Sequence, residues 1–277
     1  MADRALVLGG GGITGIAWEF GMLAGLAELG IDLTGADLVV GTSAGSVVGA
    51  QVASGLDVEQ RYAAQLVPPD GEVAAALGRG TMLRFGLAMI GSRSPERVRA
   101  RIGRIALRAR TVPEDERVAV IASRLPVHEW PDRPLSITAV DAGTGRFRAF
   151  DRASGVPLVR AVAASCAVPG IWPPVTIDGR RYMDGGIRSA ANADLAAGHS
   201  RVVVLAPLTR GAGPITGVAA QVAELRRNAR AVLVSPDEPA LAAIGRNVLD
   251  PARRAAAAKA GRAQARSAAE QIRAVWD

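Results

Sequence analysis

Leu38-Val39-Val40-Gly41-Thr42-Ser43-Ala44-Gly45-Ser46-Val47-Val48-Gly49-Ala50 is the stretch on which the fold turns. An apolar, strand-like run meets Gly-x-Ser-x-Gly and continues into small residues that suit a helix. A strand that turns sharply into a helix with serine at its apex holds the hydroxyl clear of its neighbours, and Gly41 and Gly45 let the backbone turn without Cβ clashes. The pentapeptide alone also fits a small-residue turn with no chemistry, so its setting has to decide.

Towards the N-terminus, Arg4 to Gly9 reads as a first strand, and Gly9-Gly10-Gly11-Gly12 opens a helix from about Thr14 to Leu29 with Ile16, Phe20, Leu23 and Ala27 on one face. Two uses of this loop compete. Gly10, Gly12 and Gly15 fit the G-x-G-x-x-G pattern that lets a pyrophosphate approach a helix N-terminus. That use wants an acid at the end of the second strand to hold a ribose, yet Asp37 to Val40 has its acid at the wrong end and Asp32 falls in the loop. The same unpaired N–H groups can instead stabilise a developing oxyanion, and a Gly-rich first loop beside a serine elbow is what acyl transfer needs.

The 277 residues fit one layered core, and the 49% hydrophobic but 4% aromatic composition makes that core one of Ala, Val, Leu and Ile. Cys166 stands alone, so no internal disulfide forms, and with two histidines it makes no metal cluster; it reads as a small buried residue. The chain runs through Asp3 and Arg4 straight into a strand with no signal-like apolar region, and Met82 to Ile90, the longest greasy stretch, is too short to span a bilayer. The expectation is a cytoplasmic protein, with peripheral membrane contact as its only membrane role and no nucleic-acid partner.

Net charge is +7, carried by arginine, since Lys259 is the only lysine. Between Arg79 and Arg110 nine arginines face one acid, Glu96. This block falls in a mostly helical segment at about 67–112, after a break at Pro68-Pro69-Asp70-Gly71. Ser94-Pro95-Glu96 is a helix start, after which Val98, Ile102 and Ile105 share a face while Arg97, Arg101, Arg104 and Arg108 form a second stripe. Such a helix either lies on an anionic membrane or leaves its arginines in water.

Further along, Val118 to Ala122 and Leu135 to Val140 read as strands, Phe147 to Phe150 as another, and Pro157 to Ala164 as a short helix. Asp178-Gly179 between Val175–Ile177 and Arg181–Met183 signals a hairpin that delivers Asp184-Gly185-Gly186. Arg201 to Leu205 is fully apolar after its first residue and is expected inside a parallel sheet, Ala231 to Val234 is the last strand, and about 238–277 is helical.

In this order, a Gly-rich loop, a Gly-x-Ser-x-Gly elbow and a later Asp-Gly-Gly, the first 190 or so residues resemble the patatin-like phospholipase family. Ala163-Ala164-Ser165 to Pro169 and Trp172-Pro173-Pro174 also look like the family's approach to its Asp-Gly-Gly. The resemblance implies a three-layer α/β/α sandwich with a mainly parallel sheet in a single domain over 1–277. It also implies a Ser43–Asp184 dyad that needs no cofactor, an oxyanion loop of Gly10, Gly11 and Gly12, and a lipid ester as substrate. Where the family usually has Arg or Lys just before the loop's last glycine this chain has Thr14, which removes a positive charge near the site. A non-catalytic lipid-binding or interaction protein on the same fold is the alternative.

A Ser-His-Asp triad is the obvious rival to the dyad. His199 precedes the strand at Arg201 and His128 the strand at Leu135, so with parallel strands both lie at the edge opposite Ser43, roughly 15 Å away. A general base must come within about 3 Å of the proton it takes, and neither histidine is expected to serve.

Overall fold

The computed structural model describes residues 3–67, 75, 78–211 and 215–277. The expected break at Pro68-Pro69-Asp70-Gly71 lies outside them. Strand β1 (Arg4–Leu8) leads into helix α1 (Gly12–Glu28), and β2 (Leu38–Gly41) turns through Ser43 into α2 (Ala44–Ala53). Helices α3 (Val58–Leu66), α4 (Arg79–Met89), α5 (Pro95–Arg108) and α6 (Glu114–Arg124) follow before β3 (Leu135–Asp141), β4 (Phe147–Phe150) and α7 (Leu158–Ser165). The hairpin β5 (Val175–Ile177) and β6 (Arg180–Asp184) precedes β7 (Arg201–Leu205), α8 (Val218–Leu225), β8 (Arg230–Val234), α9 (Glu238–Ile244) and α10 (Arg254–Trp276).

Strands β8, β7, β1, β2 and β3 lie side by side and run parallel, while β4 and β6 join β3 antiparallel and β5 pairs β6. Period-two alternation along the strands makes the layers. Leu6, Leu8, Val39, Ile137, Val203 and Leu205 face the larger core beneath α1, α2, α7 and α10, whereas Ala5, Val7, Val40, Val202 and Val204 face α8. Beyond the sheet's other half, Val98, Ile102 and Ala106 of α5 cover Val140, Ala142 and Met183. The result is the expected three-layer α/β/α sandwich.

Local chemistry accounts for the element starts. Asp57 caps α3 by accepting from the Gln60 N–H at 2.8 Å, and Ser94 caps α5 with Pro95 in the first turn, as expected of that stretch. Asp178 and Gly179, with φ of 49° and 72°, make the tight turn of the β5–β6 hairpin. One element differs: Val118 to Ala122 is not a strand but the middle of α6. Pro113 followed by Glu114, Asp115 and Glu116 supplies the acidic first turn that favours a helix, and so short an apolar run does not distinguish the two periods.

Glu19 is wholly buried in α1, where desolvation pushes its carboxyl well above the ordinary range; the Gly9 backbone offsets this only in part. Beside it Trp18 donates to Gln264 Oε1 at 2.9 Å, joining α1 to α10 through the core. Among the described residues no helix is long and apolar enough to cross a membrane.

Candidate active site

The parallel strands β1 and β2 end together, Leu8 opposite Gly41, and each then turns into a helix. The site forms at these two turns, beside β1, where the strand order reverses towards β7 on one side and β2 on the other. Ser43 sits at the apex of the second turn with φ 51° and ψ −115°, backbone that costs a non-glycine residue energy and is held by its surroundings. The neighbours are close: a Cβ on Gly45 would stand 2.1 Å from the Leu8 carbonyl oxygen, so only glycine lets the elbow pack on β1. The Gly45 N–H donates to Gly9 O at 2.9 Å, tying the elbow to the Gly-rich loop.

Strand β3 brings in the acid. Its residue Ile137 pairs with Gly41 and with Phe150, so β2 and β4 occupy opposite edges; Ala139 pairs with Asp184 and with Arg148, so β6 and β4 also occupy opposite edges. Hence β2 and β6 share one edge of β3. They run towards each other, and Gly41 and Asp184 end them with the single position of Thr138 between their partners Ile137 and Ala139. The Ser43 side chain comes close enough to the Asp184 carboxyl to favour its charged form.

Both groups are nearly closed off from solvent, at 8% and 5% exposure. Burial raises the Asp184 carboxyl to about 6, against the opposing pull of the Ser43 hydroxyl and the Gly186 N–H. That N–H donates to Asp184 Oδ1 at 2.7 Å, and the Asp184 N–H donates to Ala167 O at 3.0 Å. The Ser43 N–H donates to Ser165 Oγ at 2.9 Å, while its carbonyl accepts from Ser46 Oγ at 2.6 Å and Cys166 Sγ at 3.3 Å. Cys166 is therefore buried beneath the elbow, as expected, and burial with the nearby Asp184 charge pushes its thiol up to about 11.

The three loop glycines differ in what they can offer. Gly10 lies against the serine, a Cβ there standing 3.4 Å from Ser43 Cβ, but its N–H already donates to Ala190 O at 2.7 Å. No described backbone oxygen accepts from the N–H of Gly11 or Gly12. Gly12, with φ 60°, packs under the Val248 carbonyl, which also accepts from the N–H and hydroxyl of Thr14 at 3.1 Å each. Thr14 is thus buried under the segment before α10, and its hydroxyl holds that segment in place.

Sequence reasoning misses Asn192. Its side-chain N–H groups reach Thr42 Oγ1 at 3.0 Å, Thr138 Oγ1 and Gly185 O at 3.3 Å, and Ser189 O at 2.9 Å, all in the buried junction between elbow and acid. Its left-handed backbone, φ 51°, suits asparagine, but no local pattern announces partners up to 150 residues away.

The mouth of the site is narrow. A cavity of ≈ 40 Å³ beside Ser43 is lined by Gly12, Ile13, Ile16, Val168 and Leu249, and the Arg117 guanidinium stacks 3.9 Å from the Trp172 ring at its rim. The histidines lie elsewhere: β7 begins beside β1 at its N-terminal end, and His199 acts on Asp37, just before β2 begins. His128 bonds Ala122 O at 3.0 Å, beyond the start of β3. No group of three His, Cys, Asp or Glu among the described residues is placed to hold a metal ion.

A family model described as patatin-like phospholipase matches residues 6–197. Uncharacterised NTE family proteins of Mycobacterium bovis and Mycobacterium tuberculosis are 31% identical over 192 residues, 66% of this chain and 42% of each relative. The matched stretch thus spans less than half of those relatives. The crystal structure of VipD from Legionella pneumophila is similar with a TM-score of 0.50 and 14% identity, over 99% of this chain and 67% of that one, a likeness of fold alone.

Proposed function

The chain belongs to the patatin-like phospholipase family, and on that premise we propose that it is a lipid acyl hydrolase, of phospholipase A or lysophospholipase type, working through Ser43 and Asp184. The observation that carries this reading is the meeting of two strand ends that sets a strained Ser43 beside a buried Asp184 carboxyl raised to about 6. A serine hydroxyl is a poor nucleophile until a base takes its proton, and an ordinary aspartate near 3.9 is too acidic to do so well. Desolvation makes Asp184 a stronger base while leaving it ionised at neutral pH.

In the first half-reaction Ser43 Oγ bonds to the ester carbonyl carbon and its proton passes to Asp184. The negative charge collects on the carbonyl oxygen, which takes hydrogen bonds from the Gly11 and Gly12 N–H groups at the start of α1. Gly10, whose N–H is committed to Ala190 O, holds the loop against the elbow instead. Collapse breaks the bond to the alcohol oxygen, which leaves with the proton from Asp184. Water then gives a proton to Asp184 and attacks acyl-Ser43, releasing the carboxylic acid and restoring the hydroxyl.

The test is a panel of lipid esters with released fatty acid read by mass, using the natural chain and Ser43→Ala. Release by the first and not by the second supports the reading. Equal release by both, or by neither against every ester, leaves a non-catalytic lipid-binding protein on this fold.

A further inference from the structure

Helix α4 is apolar on two opposite sides. Phe85, Ala88 and Met89 turn inward with Val98, Ile102 and Ala106 of α5, over Val140, Ala142 and Met183. Leu83 and Leu87, four residues apart on one helical line, and Ile90, the residue that caps the helix end, face outward at 66%, 58% and 67% exposure. Aliphatic side chains gathered on one exposed line mark a contact surface, because water alone gives no reason to collect them. Beside them Arg84, Arg101, Arg104 and Arg108 surround a cleft of ≈ 370 Å³ with Ile105 among its walls and, among the described residues, no acid lining it. Arg97, expected to complete the stripe on α5, belongs to the helix's exposed first turn; Arg84 from α4 takes its place at the cleft. Arg101 also donates to Ala88 O at 3.3 Å and Ile90 O at 2.7 Å, which locks the two helices into one hairpin.

We propose that the α4–α5 hairpin is a docking surface for an anionic phospholipid bilayer. Leu83, Leu87 and Ile90 enter the boundary between headgroups and acyl chains, while Arg84, Arg104 and Arg108 meet the phosphates. Charge complementarity selects an anionic partner, since nine arginines between Arg79 and Arg110 face Glu96 alone. The aliphatic line selects a bilayer over a nucleic acid, which would give those side chains nothing to bury them. The hairpin packs on Met183, the residue before Asp184, so docking holds the candidate site's end of β6 close to the membrane. Docking requires no turnover, so it stands apart from the acyl-transfer reading.

The experiment uses the full chain carrying Ser43→Ala, so that lipid is bound and not consumed, with phosphatidylcholine vesicles containing or lacking phosphatidylserine. The chain is expected to sediment with the anionic vesicles at low salt and to be released as salt rises. Each basic residue at such a surface contributes about fivefold, so R84Q/R104Q/R108Q should bind at least about tenfold less tightly. L83S/L87S/I90S should also bind less well. Leu87→Cys, labelled with an environment-sensitive fluorophore while Cys166 stays buried, should shift to the blue on anionic vesicles alone; this report decides even where a triple variant fails to fold. Undiminished binding by the folded arginine variant, or an unshifted fluorophore, overturns the proposal. So does a dimer of the natural chain that the folded aliphatic variant abolishes, which would make this face a contact with a second copy.

Discussion

Gly41 and Asp184 end two strands that run towards each other along the same edge of β3, separated by the single register position of Thr138. A parallel strand can present its C-terminal turn, and an antiparallel one its last residue, at the same level of a sheet only by such a head-to-head arrangement. It sets a strained serine beside a buried carboxylate without any contribution from a histidine.

The dyad has a pH signature. Activity needs Asp184 ionised, so kcat/KM for a short-chain ester should rise through about pH 6 and level off above it, following the raised Asp184 value. Stability moves the other way, because the folded carboxyl holds its proton more tightly than the unfolded one. The cost of ionising it is absent below about pH 4, complete above about pH 7, and on the order of 3 kcal/mol. Asp184→Asn should therefore be inactive yet melt higher than the natural chain at alkaline pH, with no advantage at pH 4 or so; denaturation curves at the two pH values check this.

Asn192 is expected to act by position. Asn192→Ala leaves the Thr42 and Thr138 hydroxyls and the Gly185 carbonyl short of a buried donor, which costs about 1–3 kcal/mol. The loosened junction between elbow and acid should lower kcat by about tenfold to a hundredfold, with KM nearly unchanged. Urea denaturation and steady-state kinetics on one preparation check both; an unchanged kcat in a destabilised variant would assign Asn192 a structural role alone.

Cys166 should be inert while the chain is folded. Its thiol is buried and pushed up to about 11, so an aromatic disulfide reagent at about pH 8 should react far more slowly with the native chain than with the chain in guanidinium. Reaction at equal rates would place the sulfur in solvent and contradict the packing beneath the elbow.

The histidine variants separate the dyad from a triad. His128→Ala and His199→Ala should each keep most esterase activity, because both residues lie at the N-terminal ends of the strands. Loss in a folded His199→Ala, with activity retained in Asp184→Asn, would replace the dyad by a histidine mechanism.

The range of an interaction decides whether the amino-acid sequence reveals it. The elbow, the Gly-rich loop and the Asp-Gly-Gly hairpin are local backbone events whose residues announce themselves, and the alternation of β1 and β7 carries the layering. Helix α6 reads as a strand because Val118 to Ala122 is too short to show a period, although Pro113 and the acids after it are a usable signal. The commitment of Gly10 to Ala190 O, the Asn192 network and the place of Arg84 beside the α5 arginines depend on segments far apart in the chain. Local patterns carry no trace of such partners.

The most direct measurement is the site and rate of modification by a serine-directed fluorophosphonate, mapped by mass spectrometry after digestion. A Ser43–Asp184 dyad predicts a single adduct on Ser43. It also predicts undiminished labelling in His128→Ala and His199→Ala, and labelling slowed by about a hundredfold or more in a folded Asp184→Asn, the scale expected on losing a general base. An adduct on another residue, or an Asp184→Asn chain that labels as fast as the natural one, would contradict it.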